Sequence, residues 1–194
     1  MPEEFTDEAS LLAAARGGDE ESFLALYERH HARLFRFACR MLGSAHAAED
    51  AVHDCFVELI ERPGFDPARG PLRNYLYGAV RHRAQRQFRR AGREVELDAD
   101  AAESARSESH EPLEQLLAGE LGHALRAAIQ SLPPHQREAL VLFQYEELSL
   151  AEIAGIAATD VGTIKSRLWR ARANLKRQLA PFVSARAAEL VVKD

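Results

Sequence analysis

A chain of 194 residues, 46% of them apolar, can bury one core of ordinary size or two small ones. Its formal net charge of -5 excludes a protein that holds nucleic acid by bulk positive charge, although the charge is spread unevenly along the chain. Two cysteines, Cys39 and Cys55, exclude a disulfide framework and fit no zinc spacing; both are expected as small core residues of a reducing cytosol.

Ala, Leu, Glu and Arg dominate while Val, Ile and Thr are sparse, so an all-α fold of two small helical domains is expected. The acidic start has no apolar h-region, so no signal peptide is expected, and no apolar run approaches the ~18 residues of a membrane span. A short helix over 8–16 is stopped by Gly17 and Gly18. Asp19 then caps a longer one, Glu20 to Leu42, with Phe23, Leu26, Tyr27, Leu34, Phe37, Ala38 and Met41 at helical spacing. His30 and His31 sit mid-helix with no further ligand types on their side, so a metal role is not expected. Gly43 ends this helix and Ser44 caps the next.

The third helix, about Ala45 to Arg62, buries Ala48, Val52, Cys55, Phe56 and Leu59 and carries Asp50, Asp54, Glu58 and Glu61 as an acidic ladder. Like charges at this spacing cost about 0.2–0.5 kcal/mol per pair, and no cation within the helix offsets them before Arg62. The ladder is either a solvated face or a docking face for a basic partner. Next, the loop "RPGFDPARGPLRN" carries Phe65, Arg69 and Arg73. The helix after it, Leu72 to Arg90, holds Tyr75 and Tyr77, then Arg81, His82, Arg83, Arg86, Arg89 and Arg90. Rings that stack on bases and guanidiniums that hold phosphates suit single-stranded nucleic acid; the other reading makes the tyrosines core and the arginines a solvated face.

From Glu94 to Glu120 nine acidic residues face the single Arg106, and aromatics are absent. The segment to about His110 is expected to be a disordered linker. A second domain begins near Pro112 with the stripe Leu113, Leu116, Leu117, Leu121, Leu125, Ala128, Ile129 and Leu132. Ser131 is a candidate cap for a helix from about His135 to Glu146, with Leu140, Val141 and Phe143 inward. Ser149 and Glu152 form a capping box for Leu150 to Ala157, whose Ile153 and Ala154 face inward. A turn leads to the N-cap Asp160 and a helix from Val161 to Leu179. Its stripe of Val161, Ile164, Leu168, Ala171, Leu175 and Leu179 lies apart from Lys165, Arg167, Arg170, Arg172, Lys176 and Arg177, with no acid among them. This is helix-turn-helix, with the basic helix in the recognition position. A stand-alone helix-turn-helix regulator is one protein of this kind; it needs neither the acidic ladder nor the aromatic-basic loop. No Gly-rich phosphate loop, metal cluster or nucleophile–base set suggests an enzyme.

"SLPPHQREALVLFQYEELSLAEIA" followed by "VGTIKSRLWRAR" resembles the C-terminal promoter-reading domain of bacterial sigma-70 factors, most of all the extracytoplasmic function (ECF) group. "FLALYERHHARLFRFACRMLGSAHAAEDAVHDCFVELIE" resembles the N-terminal domain of the same group. The two resemblances, in family order, cover residues 20–180 and imply a cytoplasmic initiation subunit of RNA polymerase, without cofactor or enzymatic activity. They imply an N-terminal domain over 8–93, an acidic linker over 94–111 and a helix-turn-helix domain over 112–180. They place Asp50, His53, Asp54 and Glu58 against the clamp helices of the core polymerase's largest subunit. Phe65, Arg69, Arg73, Tyr75, Tyr77, Arg81 and His82 are implied at the melted −10 element of promoter DNA. On the −35 duplex they imply Lys165, Ser166, Trp169 and Arg170 as readers, with Thr163, Arg167 and Arg172 on phosphates. An anti-sigma factor is a further partner to expect. The chain departs from the family pattern at His53 (often Gln), Tyr75 (usually Trp), His82 (usually Asn), Arg86 (usually Asp), Ala158 (usually Gly) and in the bulky Trp169.

Overall fold

The structure, a computed structural model, describes residues 2–62, 64–94 and 120–191, and among these every regular element is helical. Contacts divide the chain into two compact units: α1 (Pro2–Arg16), α2 (Glu20–Leu42), α3 (Ala45–Glu61) and α4 (Leu72–Glu94) make the first. The second is made by α5 (Glu120–Gln130), α6 (Pro134–Gln144), α7 (Leu150–Ala157) and α8 (Val161–Val191), apart from Ile156–Ala158. The acidic linker expected over 94–111 lies outside the described residues, except for Glu94 at the end of α4. No described helix is long and apolar enough to cross a membrane.

Helix boundaries in the first unit follow local chemistry. Asp19 accepts a hydrogen bond from the Ser22 N–H at 3.1 Å, and Ser44 Oγ accepts from Ala47 N–H at 3.3 Å. Gly43, at φ 74°, ends α2 and donates its N–H to Cys39 O at 2.8 Å. The core combines Leu12 and Ala15 of α1 with Leu26, Leu34, Phe37 and Met41 of α2, Val52, Phe56 and Leu59 of α3, and Leu72, Leu76 and Tyr77 of α4. Phe37 and Tyr77 meet edge-on at 5.2 Å. Along α2, Tyr27 stacks on His31 at 4.6 Å, and Phe56 of α3 closes on Tyr27 at 4.9 Å.

Two interactions in this unit have no signature in the hydrophobic pattern. Arg16 donates from Nε and Nη2 to Leu59 O, at 3.1 and 2.9 Å, and from Nη2 to Arg62 O at 2.8 Å. It therefore supplies donors to the C-terminal carbonyls of α3, which have no partner within their own helix. His30, expected to be an unremarkable helix residue, is buried with its Nε2 2.8 Å from Oε1 of the equally buried Glu8. Burial alone raises the pKa of Glu8, but the hydrogen bond and charge of His30, with Arg29 3.5 Å away, hold it below the usual carboxylate value.

The second unit repeats the arginine device. Arg137 of α6 is buried and donates to the end of α5: Nη1 to Gln130 Oε1 at 2.9 Å, and Nη2 to Gln130 O and to Leu132 O. Burial lowers its pKa from the ordinary arginine value. Ser131 does not cap α6. Its Oγ lies 2.8 Å from both Ala128 O and Gln178 Oε1, with one proton to give to either, while Pro133 takes the N-cap position without a side-chain bond. The capping box stands as read: Ser149 N–H donates to Glu152 Oε2 at 2.9 Å and Glu152 N–H to Ser149 Oγ at 3.3 Å. Leu132, Leu140, Val141, Leu142, Ile153, Ala154, Ile164, Leu168 and Ala171 are buried. Val161, expected on the buried stripe, is 38% exposed because it is the first residue of α8, before the helix reaches its packed face. Phe143, expected inward, is half-buried.

Ala158 adopts φ 49° in the turn between α7 and α8, the left-handed conformation that disfavours a Cβ. The substitution Ala158→Gly should raise stability by about 1 kcal/mol, read as a higher urea midpoint at unchanged slope. An unchanged or lowered midpoint would mean that Ala158 carries no strain.

Candidate nucleic-acid interface

The recognition helix α8 starts on Asp160, whose carboxylate accepts from Thr163 N–H at 2.8 Å and from Thr163 Oγ1 at 2.6 Å. These bonds hold the Asp160 carboxyl below its usual pKa. They also turn the Thr163 hydroxyl, expected at a phosphate, toward the cap. Gly162 is small for a reason: a Cβ there would lie 2.9 Å from Asp160 Oδ1.

With the cap and the buried residues Ile164, Leu168 and Ala171 fixed, helical geometry decides what points outward. Lys165, Ser166, Trp169 and Arg170 are all exposed and together line one open depression of about 410 Å³. Trp169 is 72% exposed, the most exposed large apolar side chain among the described residues. Of the expected phosphate contacts, Arg167 is half-buried, and the Arg172 guanidinium lies over the Phe143 ring at 5.5 Å, a cation–π contact that anchors it to α6.

In the first unit the acidic ladder differs from expectation. Arg83 of α4, grouped by sequence with the nucleic-acid arginines, reaches across to α3. Its Nη2 lies 2.7 Å from Glu58 Oε2 and donates to Asp54 O at 2.9 Å, and its Nε lies 3.8 Å from Asp54 Oδ2. Arg62 adds a contact to Glu58 at 3.3 Å. The hydrogen bond from Arg83, with the charges of Arg83 and Arg62, holds the Glu58 carboxyl below its usual pKa against a smaller effect of burial. The helix alone lacks an offsetting cation, but tertiary packing supplies one. Asp50, His53 and Asp54 remain exposed.

The aromatic-basic set also divides. Phe65 and Tyr75 meet edge-on at 5.7 Å, and the Tyr75 hydroxyl sits where a Cβ on Gly64 would come within 2.7 Å. Arg69, Arg73 and His82 are exposed. Tyr77 and Arg81, expected beside them, are buried. The reason is the period of α4: positions 72, 76, 77, 80, 81 and 84 fall on one stripe, and that stripe faces inward.

Residues 26–94 match sigma-70 region 2, and residues 122–175 match sigma-70 region 4. Both regions in this order define a sigma-70-type factor. The ECF RNA polymerase sigma factor SigM of Mycobacterium tuberculosis is 31% identical over 173 residues, covering 89% of this chain and 84% of SigM. SigE of Mycolicibacterium smegmatis is 31% identical over 165 residues, 84% of this chain and 63% of SigE. Among solved structures, the sigma factor RpoE in complex with the anti-sigma factor NepR from Bartonella quintana aligns with a TM-score of 0.67 at 26% identity, covering 82% of this chain and 98% of RpoE. The chain belongs to the ECF RNA polymerase sigma factors, and it directs transcription initiation. The family is one of DNA-binding initiation factors.

The folded pKa of Glu58 lies below its unfolded value, so its pairing with Arg83 stabilises the fold above the ordinary carboxylate range and is lost as pH falls through the folded value. Because Glu58 is partly solvated, Arg83→Met should cost at most about 1 kcal/mol near pH 7. In paired urea titrations the gap from the parent chain should narrow as pH falls below the ordinary glutamate value of about 4.3. A gap that does not change with pH would assign Arg83 to packing alone.

Proposed function

We propose that the two units divide promoter binding between them, with the first over 8–93, the acidic linker over 94–111 and the second over 112–180. In the second unit Lys165, Ser166, Trp169 and Arg170 read the −35 element as duplex, while Arg167 and Arg172 sit toward the phosphates and Thr163, bonded to Asp160, fixes the first turn. The single observation that carries this reading is that these four readers line one depression on the exposed side of a capped basic helix. A helix with one packed face and a cationic outer face fits the major groove, where Arg can pair with two guanine acceptors.

In the first unit Asp50, His53, Asp54 and Glu58 form the docking face for the polymerase clamp helices. Arg83 holds Glu58 in place, so the less compensated Asp50 and Asp54 meet the partner first. The loop from Phe65 to Arg73, with Tyr75 and His82, engages the melted −10 element. Tyr77 supports that site from the core. An anti-sigma factor and work in the cytoplasm belong to the same reading; NepR holds RpoE in the solved complex.

Run-off transcription with purified core polymerase on genomic fragments should yield discrete promoter-directed transcripts only when this chain is present; a lack of them would overturn the reading. Reversing Asp50 and Asp54 to Lys should abolish co-purification with core polymerase, and undiminished co-purification would remove the docking face. Arg170→Ala should weaken binding to the selected −35 duplex by about 1–3 kcal/mol while sparing random duplex. Equal loss on both would make Arg170 a phosphate contact.

A further inference from the structure

Tryptophan is a highly buried residue on average, so an indole as exposed as that of Trp169, beside Lys165, Ser166 and Arg170, stands out. The cations and the serine have polar partners on DNA: phosphates, guanine acceptors, either partner for a hydroxyl. The indole has one N–H donor and is otherwise apolar. It cannot stack on bases inside a duplex, because their faces are already stacked; stacking platforms serve single strands. The minor groove is too narrow for a helix, which leaves the edges of base pairs in the major groove. On those edges the one apolar group is the C5-methyl of thymine.

We infer that Trp169 is a specificity-determining residue that selects a C5-methylated pyrimidine in the −35 duplex. It packs its ring on the methyl, while Lys165 and Arg170 set the register around it. The helix is suited to this, since Ile164, Leu168 and Ala171 pin the opposite face and Asp160 fixes the first turn. The ring is therefore presented from a rigid backbone rather than from a loop. One corollary concerns DNA chemistry: 5-methylcytosine offers the site the same methyl as thymine, whereas deoxyuridine and unmodified cytosine do not. The inference rests on the second unit's reading of duplex DNA, and the test separates the two.

The probe is the duplex recovered from a randomised library by the full chain bound to core polymerase. Each thymine of the upstream element is then replaced by deoxyuridine, which removes the methyl and keeps the pairing edge. At one position the replacement should weaken binding by the parent chain about fourfold, the value of one buried methyl-sized group. Changing that T·A pair to C·G should weaken binding further, and 5-methylation of the new cytosine should recover about fourfold. Trp169→Ala should bind the thymine and deoxyuridine probes equally, while Trp169→Phe, which keeps an apolar ring, should retain part of the discrimination. If no deoxyuridine replacement weakens the parent chain, or if Trp169→Ala discriminates as well as the parent, the methyl assignment is overturned and duplex reading stands. If the library yields no enriched duplex, the duplex reading itself fails and the methyl assignment with it.

Discussion

The last carbonyls of a helix need donors from outside it, and both units meet this constraint with an arginine from a neighbouring helix. Arg16 of α1 serves the end of α3; Arg137 of α6 serves the end of α5. A guanidinium suits the task because its planar fork can bond two carbonyls at once and stays charged when partly buried. In the first unit the bond fixes the end of α3, the helix that carries Asp50, Asp54 and Glu58. In the second it sets how α5 meets α6, the helix whose Phe143 receives Arg172 of α8. Each candidate interface is thus held by a bond that does not belong to it.

The recognition helix was the most legible part of the sequence. Asp160, the buried positions 164, 168 and 171, and the absence of acids all act within one helix, where period and capping rules are strong. The left-handed conformation at Ala158 has no such local signal; only the family's usual glycine at that position pointed to it. Tyr77 and Arg81 are not legible from residue type, since an arginine beside a tyrosine suits nucleic acid and a core alike; the period of α4 puts both inside. Arg83 is hidden for a different reason. Its partner lies 25 residues earlier on another helix, and no local rule connects Arg83 with Glu58. The Glu8–His30 pair was equally hidden, being a contact between two helices whose separate patterns give no register to each other.

The same distinction explains the charge. A net charge of -5 says little about a protein whose acids and bases occupy different segments. On α8 the cations face out from an apolar stripe, so their field is added rather than cancelled. On α3 the acids are partly answered by Arg83, which lowers the self-repulsion of the ladder and leaves Asp50 and Asp54 to act at longer range. Salt should weaken both surfaces, and more so the solvated charges than the hydrogen-bonded Glu58.

Both cysteines are free and buried, and burial pushes the Cys55 thiol up to about 12. At neutral pH burial therefore keeps Cys55 as the thiol rather than the thiolate, the form that reacts with peroxides and disulfides. Cys55 packs under the ladder on α3, with its Sγ 3.8 Å from Leu76 O, rather than at a surface that a small oxidant reaches. Oxidative stress therefore has no direct chemical entry through Cys55 in the folded protein. An oxidant that acts through Cys55 first has to open the packing of α3 on α4.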